Sequence, residues 1–82
     1  MSGERPVHEI RMGLIRAAIW ANETKSGPRH NVTVSRLYMQ DEEWRDSSSF
    51  GRDDLPLLRE VLDQAWKWIF DQGQQKAQDK AA

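Results

Sequence analysis

The chain has no cysteine, so it forms no disulfide bond and offers no thiolate ligand to a metal ion. Its two histidines, His8 and His30, lie outside the spacings typical of metal sites, and we predict no metal or other cofactor. No apolar run approaches the roughly 18 residues of a membrane-spanning helix. The N-terminus also has no apolar signal segment. We therefore expect no membrane partner and predict a cytoplasmic location, in a bacterium or phage-infected cell.

Residue patterns typical of catalysis are also missing. The three serines at 47–49 stand in no Gly-x-Ser-x-Gly motif, and the chain has no glycine-rich phosphate-binding loop. The acidic run 41–43 falls at a predicted hairpin tip, where consecutive side chains face water. We therefore predict that the protein is not an enzyme and has no small-molecule substrate.

The chain is rich in charge and in tryptophan. Of its 82 residues 30% are charged, 38% are hydrophobic and four are tryptophan. A chain of this length forms one domain with a barely sufficient hydrophobic core. Large aromatic side chains in such a domain favour a second copy that completes the core, so we expect a homodimer.

Charge is distributed unevenly along the chain. Residues 1–40 carry six Lys or Arg and three Glu, whereas residues 41–82 carry six basic and ten acidic residues, for a net charge of −1. If the first half forms a sheet and the second half a helix behind it, one face of the protein is basic while the whole stays near neutral.

Residues 1–6 are predicted as a flexible leader, residues 7–73 as a single domain and residues 74–82 as a disordered tail. Within the domain, residues 8–23 fit either a helix or a half-buried strand, because apolar residues recur at both spacings. Gly13 disfavours a helix but suits a bulge or bend in a strand.

The middle of the chain predicts two further strands. Residues 24–30 contain Ser-Gly-Pro and read as a turn. Residues 31–39 alternate and are rich in β-branched side chains, which predicts a strand. Residues 40–43 form a charged hairpin connection, and residues 44–50 a short third strand.

Residues 51–73 predict a helix, with Asp53 or Asp54 as the cap, Pro56 in the first turn and Gly73 at the end. Its apolar stripe toward the sheet consists of Leu58, Leu62 (or Val61 in its place), Ala65 and Ile69. Leu62, Trp66 and Phe70 extend this stripe around a second flank, and Trp68 is expected elsewhere on the surface.

Alternation in the first strand predicts that Ile15, Ala17 and Ile19 face the helix, because a helix stripe needs a matching sheet face. Arg16 and Trp20 then lie on the opposite face. Simple alternation would put Arg36 and Tyr38 on the helix side of the next strand. An arginine is unfavourable there, so we expect a bulge near residues 35–36 that turns Tyr38 outward.

The exposed aromatic residues have two interpretations. Trp20, Tyr38 and Trp44 can form a platform on which unpaired bases stack, with basic side chains holding the phosphates. Alternatively, they are buried in a dimer interface.

The order of these elements resembles the positive-cofactor-four family, the single-stranded-DNA-binding transcriptional coactivators whose small bacterial homologues contain little more than the core domain. The segments AAIWANETKSGPRHNVTVSRLY and SFGRDDLPLLREVLDQAWKWI carry the likeness, which covers roughly residues 8–70. The resemblance implies an α+β fold in which a curved antiparallel sheet of three to four strands, the first kinked, precedes one C-terminal helix. It also implies a dimer, and it favours a strand over residues 8–23.

The resemblance further implies that the concave sheet face binds single-stranded DNA, largely without sequence preference. The family's two aromatic positions fall near Trp20 and on Tyr38, and its basic turn falls on Lys25 and Arg29. The full expected nucleic-acid-binding set is Arg16, Trp20, Lys25, Arg29, Arg36, Tyr38, Trp44 and Arg45. The expected dimer interface is Leu62, Trp66 and Phe70. The chain departs from the family in having few lysines near the sheet and an acidic net charge.

The sequence thus predicts a homodimeric module that binds single-stranded nucleic acid, with DNA favoured and RNA as the alternative, and acts in transcription regulation or strand protection. The alternative is a homodimeric protein-interaction module that binds no nucleic acid. Salt dependence separates the two, because phosphate contacts make affinity fall steeply as salt rises.

Overall fold

The protein is described here by a computed structural model that covers residues 5–81, with the backbone alone from residue 74 onward. One antiparallel sheet has the strand order β1-β2-β3-β4, and a helix follows it. This confirms the α+β class, with four strands and one C-terminal helix. The elements are β1 His8–Met12, β2 Ile15–Thr24, β3 Gly27–Gln40, β4 Glu43–Ser47, a 3-10 turn Arg52–Asp54 and α1 Leu55–Ala81.

The first predicted strand is in fact a hairpin of two strands. β1 pairs with β2 in a register that places Met12 opposite Ile15, so Gly13 and Leu14 form a two-residue loop. Gly13 has a φ of 60°, as the first loop residue of a type II′ turn requires. The glycine therefore marks a complete chain reversal, where the sequence predicted only a bulge or bend.

The other connections are tighter than predicted. β2 and β3 are joined by Lys25 and Ser26 alone, and β3 already begins at Gly27. β3 and β4 are joined by Asp41 and Glu42, which have φ values of 52° and 64°. Two consecutive positive φ angles are typical of a type I′ hairpin turn, although neither residue is glycine.

The helix is longer than predicted, and part of each end of the chain lies outside the residues that the structure describes. Residues 1–4 of the predicted leader, residue 82 and the side chains of the predicted tail from residue 74 are not described. α1 does not stop at Gly73 but continues to Ala81. One glycine costs a helix interior only about 1 kcal/mol relative to alanine, and no proline follows to end the helix. Within the described residues, no helix is long and apolar enough to cross a membrane.

The hydrophobic core lies between α1 and the first hairpin. Val61 and Ala65 of the helix are buried against Ile15 and Ile19 of β2 and Ile10 of β1. Leu58 and Ile69 pack at its margin, so the predicted helix stripe is confirmed with Val61, not Leu62, as its central member. Residues Ile15, Ala17 and Ile19 face the helix, as their alternation predicted.

Candidate nucleic-acid interface

The sheet has one face that the helix does not cover, which we call the open face. Neighbouring residues of a strand point to opposite sides of a sheet, and directly paired residues share a side. Because Ile15, Ala17 and Ile19 point to the helix, the strand register defines the opposite set. The open face comprises Glu9, Arg11, Arg16, Ala18, Trp20, Asn22, Arg29, Asn31, Thr33, Ser35, Leu37, Met39, Trp44 and Asp46.

Two tryptophans stand toward opposite ends of this face. Trp20 pairs with Asn31 and Trp44 pairs with Met39, so the two rings are eight β3 residues apart. At about 3.3 Å per residue this is about 26 Å along the strands, with two strand spacings, or about 10 Å, across them. Trp44 is 60% exposed and Met39 is 53% exposed. A ligand that contacts both rings must therefore be long and extended.

Trp20 is held in one orientation on the open face. Its indole Nε1 donates a hydrogen bond of 3.0 Å to the Thr33 hydroxyl on the neighbouring strand. Thr33 pairs with Ala18, so the indole leans back over that pair. This position accounts for the burial of Ala18 on a face that otherwise meets solvent. Trp20 is thus half-buried, with its indole oriented by Thr33.

Cations and aromatic rings alternate along the open face. Arg29 stands beyond Trp20 toward the β2–β3 turn, which carries Lys25, and Arg16 stands between the two tryptophans. The Arg16 guanidinium lies 3.5 Å from a carboxylate oxygen of Asp46 on β4. Neither Lys25 nor Arg29 forms an ion pair with a residue that the structure describes. Two of the predicted cations are therefore available to an anionic ligand, and Arg16 has an exposed, weakly held partner.

Arg36, Tyr38 and Arg45 are not on the open face, whereas the predicted bulge would have turned Tyr38 outward. The β2–β3 register runs without interruption from Ile15 opposite Arg36 to Thr24 opposite Gly27, so the expected bulge near residues 35–36 is absent. Arg36 and Tyr38 therefore lie on the helix side.

Arg36 is stable there because it has partners outside the helix stripe. Its Nε donates to the Ser49 carbonyl at 3.1 Å and lies 3.4 Å from a carboxylate oxygen of Asp54. Its guanidinium carbon is 5.9 Å from the centre of the Tyr38 ring. Arg45 pairs with Tyr38 across the strands and with the Glu43 carboxylate at 3.4 Å. Arg36 thus ties the segment before α1 to the sheet.

Several open-face residues were not among the nucleic-acid-binding residues predicted from the sequence. Arg11 lies directly opposite Arg16, and its Nε donates to the Gly13 carbonyl. Asn22 and Asn31 flank Trp20. Their only signal in the sequence is strand alternation with Trp20, which becomes useful once the β2–β3 register is known.

A second exposed apolar surface lies on the helix. Leu62, Trp66 and Phe70, which we call the outer stripe, are 43%, 61% and 50% exposed. The Trp66 and Phe70 rings are stacked with centroids 5.3 Å apart. Beside them, Lys67 Nζ lies 3.1 Å from an Asp63 carboxylate oxygen, and this hydrogen bond and charge raise the pKa of Lys67.

Trp68 has a structural role that the sequence did not predict. Its ring stacks on His8 at 4.8 Å and meets the edge of His30 at 5.9 Å. It is therefore half-buried between the helix and the sheet and does not lie free on the surface. Among the described residues, no three histidine, aspartate or glutamate side chains cluster in a way that would hold a metal ion.

Comparisons of the chain with protein-family models, with curated proteins and with solved structures found no match. The resemblance to the positive-cofactor-four family therefore stays a prediction.

Proposed function

We propose that this protein is a non-enzymatic, cytoplasmic module that binds single-stranded nucleic acid on the open face and acts in transcription regulation or strand protection. The observation that carries the proposal is the order of side chains along that face. Arg29, Trp20, Arg16 and Trp44 alternate charge and aromatic ring over about 30 Å. An unpaired strand offers the same alternation of phosphates and flat bases.

Stacking supplies the affinity in this proposal. Base–aromatic stacking is worth about 1–3 kcal/mol per base and is available only when bases are unpaired. Trp44 is exposed over more than half of its surface. A duplex hides its base faces, so it can use the arginines but not the tryptophans.

Local charge supports the proposal although the net charge of the chain is −1. The open face carries two carboxylates, of Glu9 and Asp46, and a larger number of cations. These are Arg11, Arg16 and Arg29, with Lys25 at the rim. Many of the acidic residues belong to the helix and the segment before it, on the other side of the sheet. The field that a strand meets is therefore weakly positive.

We also propose that the outer stripe pairs with a second copy of the chain. An exposed apolar stripe of this kind is typical of an interface between proteins. In an antiparallel helix pair with its two-fold axis at Trp66, Leu62 lies opposite the partner's Phe70. The stripe is thus complementary to itself in shape.

The test is a titration of fluorescently labelled oligo-dT of 20 nucleotides, and of the matching duplex, followed by anisotropy at low salt. We expect tighter binding to the single strand. Trp44→Leu keeps an apolar side chain but removes the ring, and should weaken binding about fivefold to a hundredfold. The matched control is Trp66→Leu, since Trp66 has almost the same exposure at 61% but lies on the helix.

Equal weakening by Trp44→Leu and Trp66→Leu would contradict stacking on the open face. Absence of binding to either form at low salt would reject the proposal and favour the protein-interaction module.

A further inference from the structure

Trp20 is flanked on the open face by two shallow depressions of different chemistry. One, of about 240 Å³, is lined by Arg16, Glu9 and Ser35 among others. The other, of about 310 Å³, lies toward the β2–β3 turn and is lined by Trp20, Asn22, Asn31 and Thr33. The first contains charged groups, whereas the second contains neutral hydrogen-bonding groups beside an aromatic ring.

The second depression exists because Trp20 is tilted. Its hydrogen bond to Thr33 draws the indole toward the Ala18–Thr33 pair. The space above Asn31, which pairs directly with Trp20, is left open. Asn22 lies two pairs further along, directly opposite Arg29. One aromatic wall, two amide groups and a cation at the rim therefore surround this space.

The two asparagine side chains are exposed, and neither forms a hydrogen bond with a residue that the structure describes. They are also the only asparagines in the chain. Each amide presents one acceptor oxygen and two donor hydrogens in a planar fork. Such a fork matches a flat ligand that carries a donor next to an acceptor on its edge.

We propose that this depression is a nucleobase subsite that takes an unpaired adenine, stacked against Trp20 and read at its edge by Asn22 and Asn31. This inference rests on the proposed function. Adenine presents its N6 amino donor beside an acceptor nitrogen, and asparagine pairs with that combination in a bidentate manner. An unpaired adenine offers this combination on two edges, N6 beside N7 and N6 beside N1, so that each of the two amides can pair with one edge. Cytosine offers it on one edge only, N4 beside N3, and guanine presents two acceptors, N7 and O6, on one of its edges. Arg29 at the rim then holds the adjoining phosphate.

The subsite gives the open face a base preference that stacking alone lacks. Stacking tolerates every base, because every base has a π-face. A good bidentate pair discriminates against the wrong base by about fivefold to a hundredfold. We therefore expect 12-nucleotide oligo-dT with one central dA to bind at least about fivefold more tightly than the same oligomer with one central dC or dG.

The variant Asn22→Ser/Asn31→Ser tests the reading groups. It should bring the dA, dC and dG oligomers within about twofold of one another while leaving the salt dependence of binding unchanged. The matched control is Ser35→Ala, a polar open-face residue of the other depression, which should keep the dA preference. As a second measurement, the side-chain amide signals of Asn22 and Asn31 should shift in ¹⁵N-NMR spectra during titration with adenosine monophosphate and not with cytidine monophosphate.

The outcomes separate this inference from the proposed function. Salt-sensitive binding of all three oligomers with equal affinity would overturn the adenine subsite and leave the stacking proposal intact. A dA preference that survives the double substitution would also overturn it, because other groups would then read the base. Failure of all the oligomers to bind at low salt would reject both.

Discussion

The salt dependence of binding tests which cations contact the nucleic acid. The set predicted from the sequence includes Arg36 and Arg45, whereas the open face of the structure does not. Each phosphate that a single strand brings to a cation contributes about −0.7 to the slope of log affinity against log salt. The open face and its rim offer four cations, namely Arg11, Arg16, Lys25 and Arg29. We expect a slope of up to about −2.8 per protomer, or about a 50-fold loss of affinity between 50 and 200 mM salt.

The perturbation that tests this count is Arg29→Gln. It removes one open-face cation that has no ion-pair partner among the described residues, so the slope should fall to about −2.1 and the loss to about 20-fold. Arg36→Gln is the matched comparison. Arg36 lies on the helix side and is held by Asp54 and the Ser49 carbonyl, so its removal should leave the slope unchanged.

The assay is fluorescence anisotropy with labelled oligo-dT at five or more salt concentrations, with the stoichiometry fixed by titration at high protein concentration. Arg36→Gln also removes a structural hydrogen bond worth about 1 kcal/mol. Circular dichroism therefore has to show that each variant is folded. A slope that falls with Arg36→Gln and not with Arg29→Gln would refute the assignment of the open face. It would place the nucleic acid on the helix side, near Tyr38 and Arg45.

Two further predictions concern the dimer and the hairpins. We expect the double variant Trp66→Glu/Phe70→Glu to halve the mass that sedimentation equilibrium measures, because two charges then enter the outer stripe. The control Trp44→Glu should leave the mass unchanged. A wild-type chain that sediments at 9.6 kDa at high concentration would contradict the pairing. A positive φ is unfavourable for any residue other than glycine. Glu42, with a φ of 64°, should therefore gain about 1 kcal/mol in free energy of unfolding when it is changed to Gly, and Gly13→Ala, at a φ of 60°, should lose a similar amount. Denaturant unfolding that shows no opposite change in the two variants would contradict these turn geometries.

The sequence predicted the facing of β2 correctly because alternation there is complete. Ile15, Ala17 and Ile19 are all fully buried, and Arg16 lies on the other side. Alternation also gave the right parity for β3. The error came from treating the helix side as unfavourable for Arg36. Its partners there, Asp54 and the Ser49 carbonyl, are 18 and 13 residues away in sequence. Tertiary partners of this kind leave no local signal.

The first hairpin turn was the other source of error, whereas the predicted hairpin at residues 40–43 is confirmed. Gly13-Leu14 is not one of the Asn-Gly or Asp-Gly pairs that make two-residue turns recognisable. A single strand with a bend and two strands with a tight loop therefore look alike in sequence. The difference matters for the candidate site, since the β1–β2 hairpin brings Arg11 beside Arg16.

The exposed tryptophans bear directly on the choice between a nucleic-acid platform and a protein interface. Trp66 projects from the helix about 140° around its axis from the buried Val61, whereas Trp44 projects from the far side of the sheet. The sheet separates the two surfaces, so one copy of the chain that docks on the outer stripe leaves the open face uncovered. The proposed dimer therefore covers Trp66 and Phe70 but not Trp44 and Met39. We expect a different ligand on the open face, and its alternating arginines and rings favour one that alternates phosphates and bases.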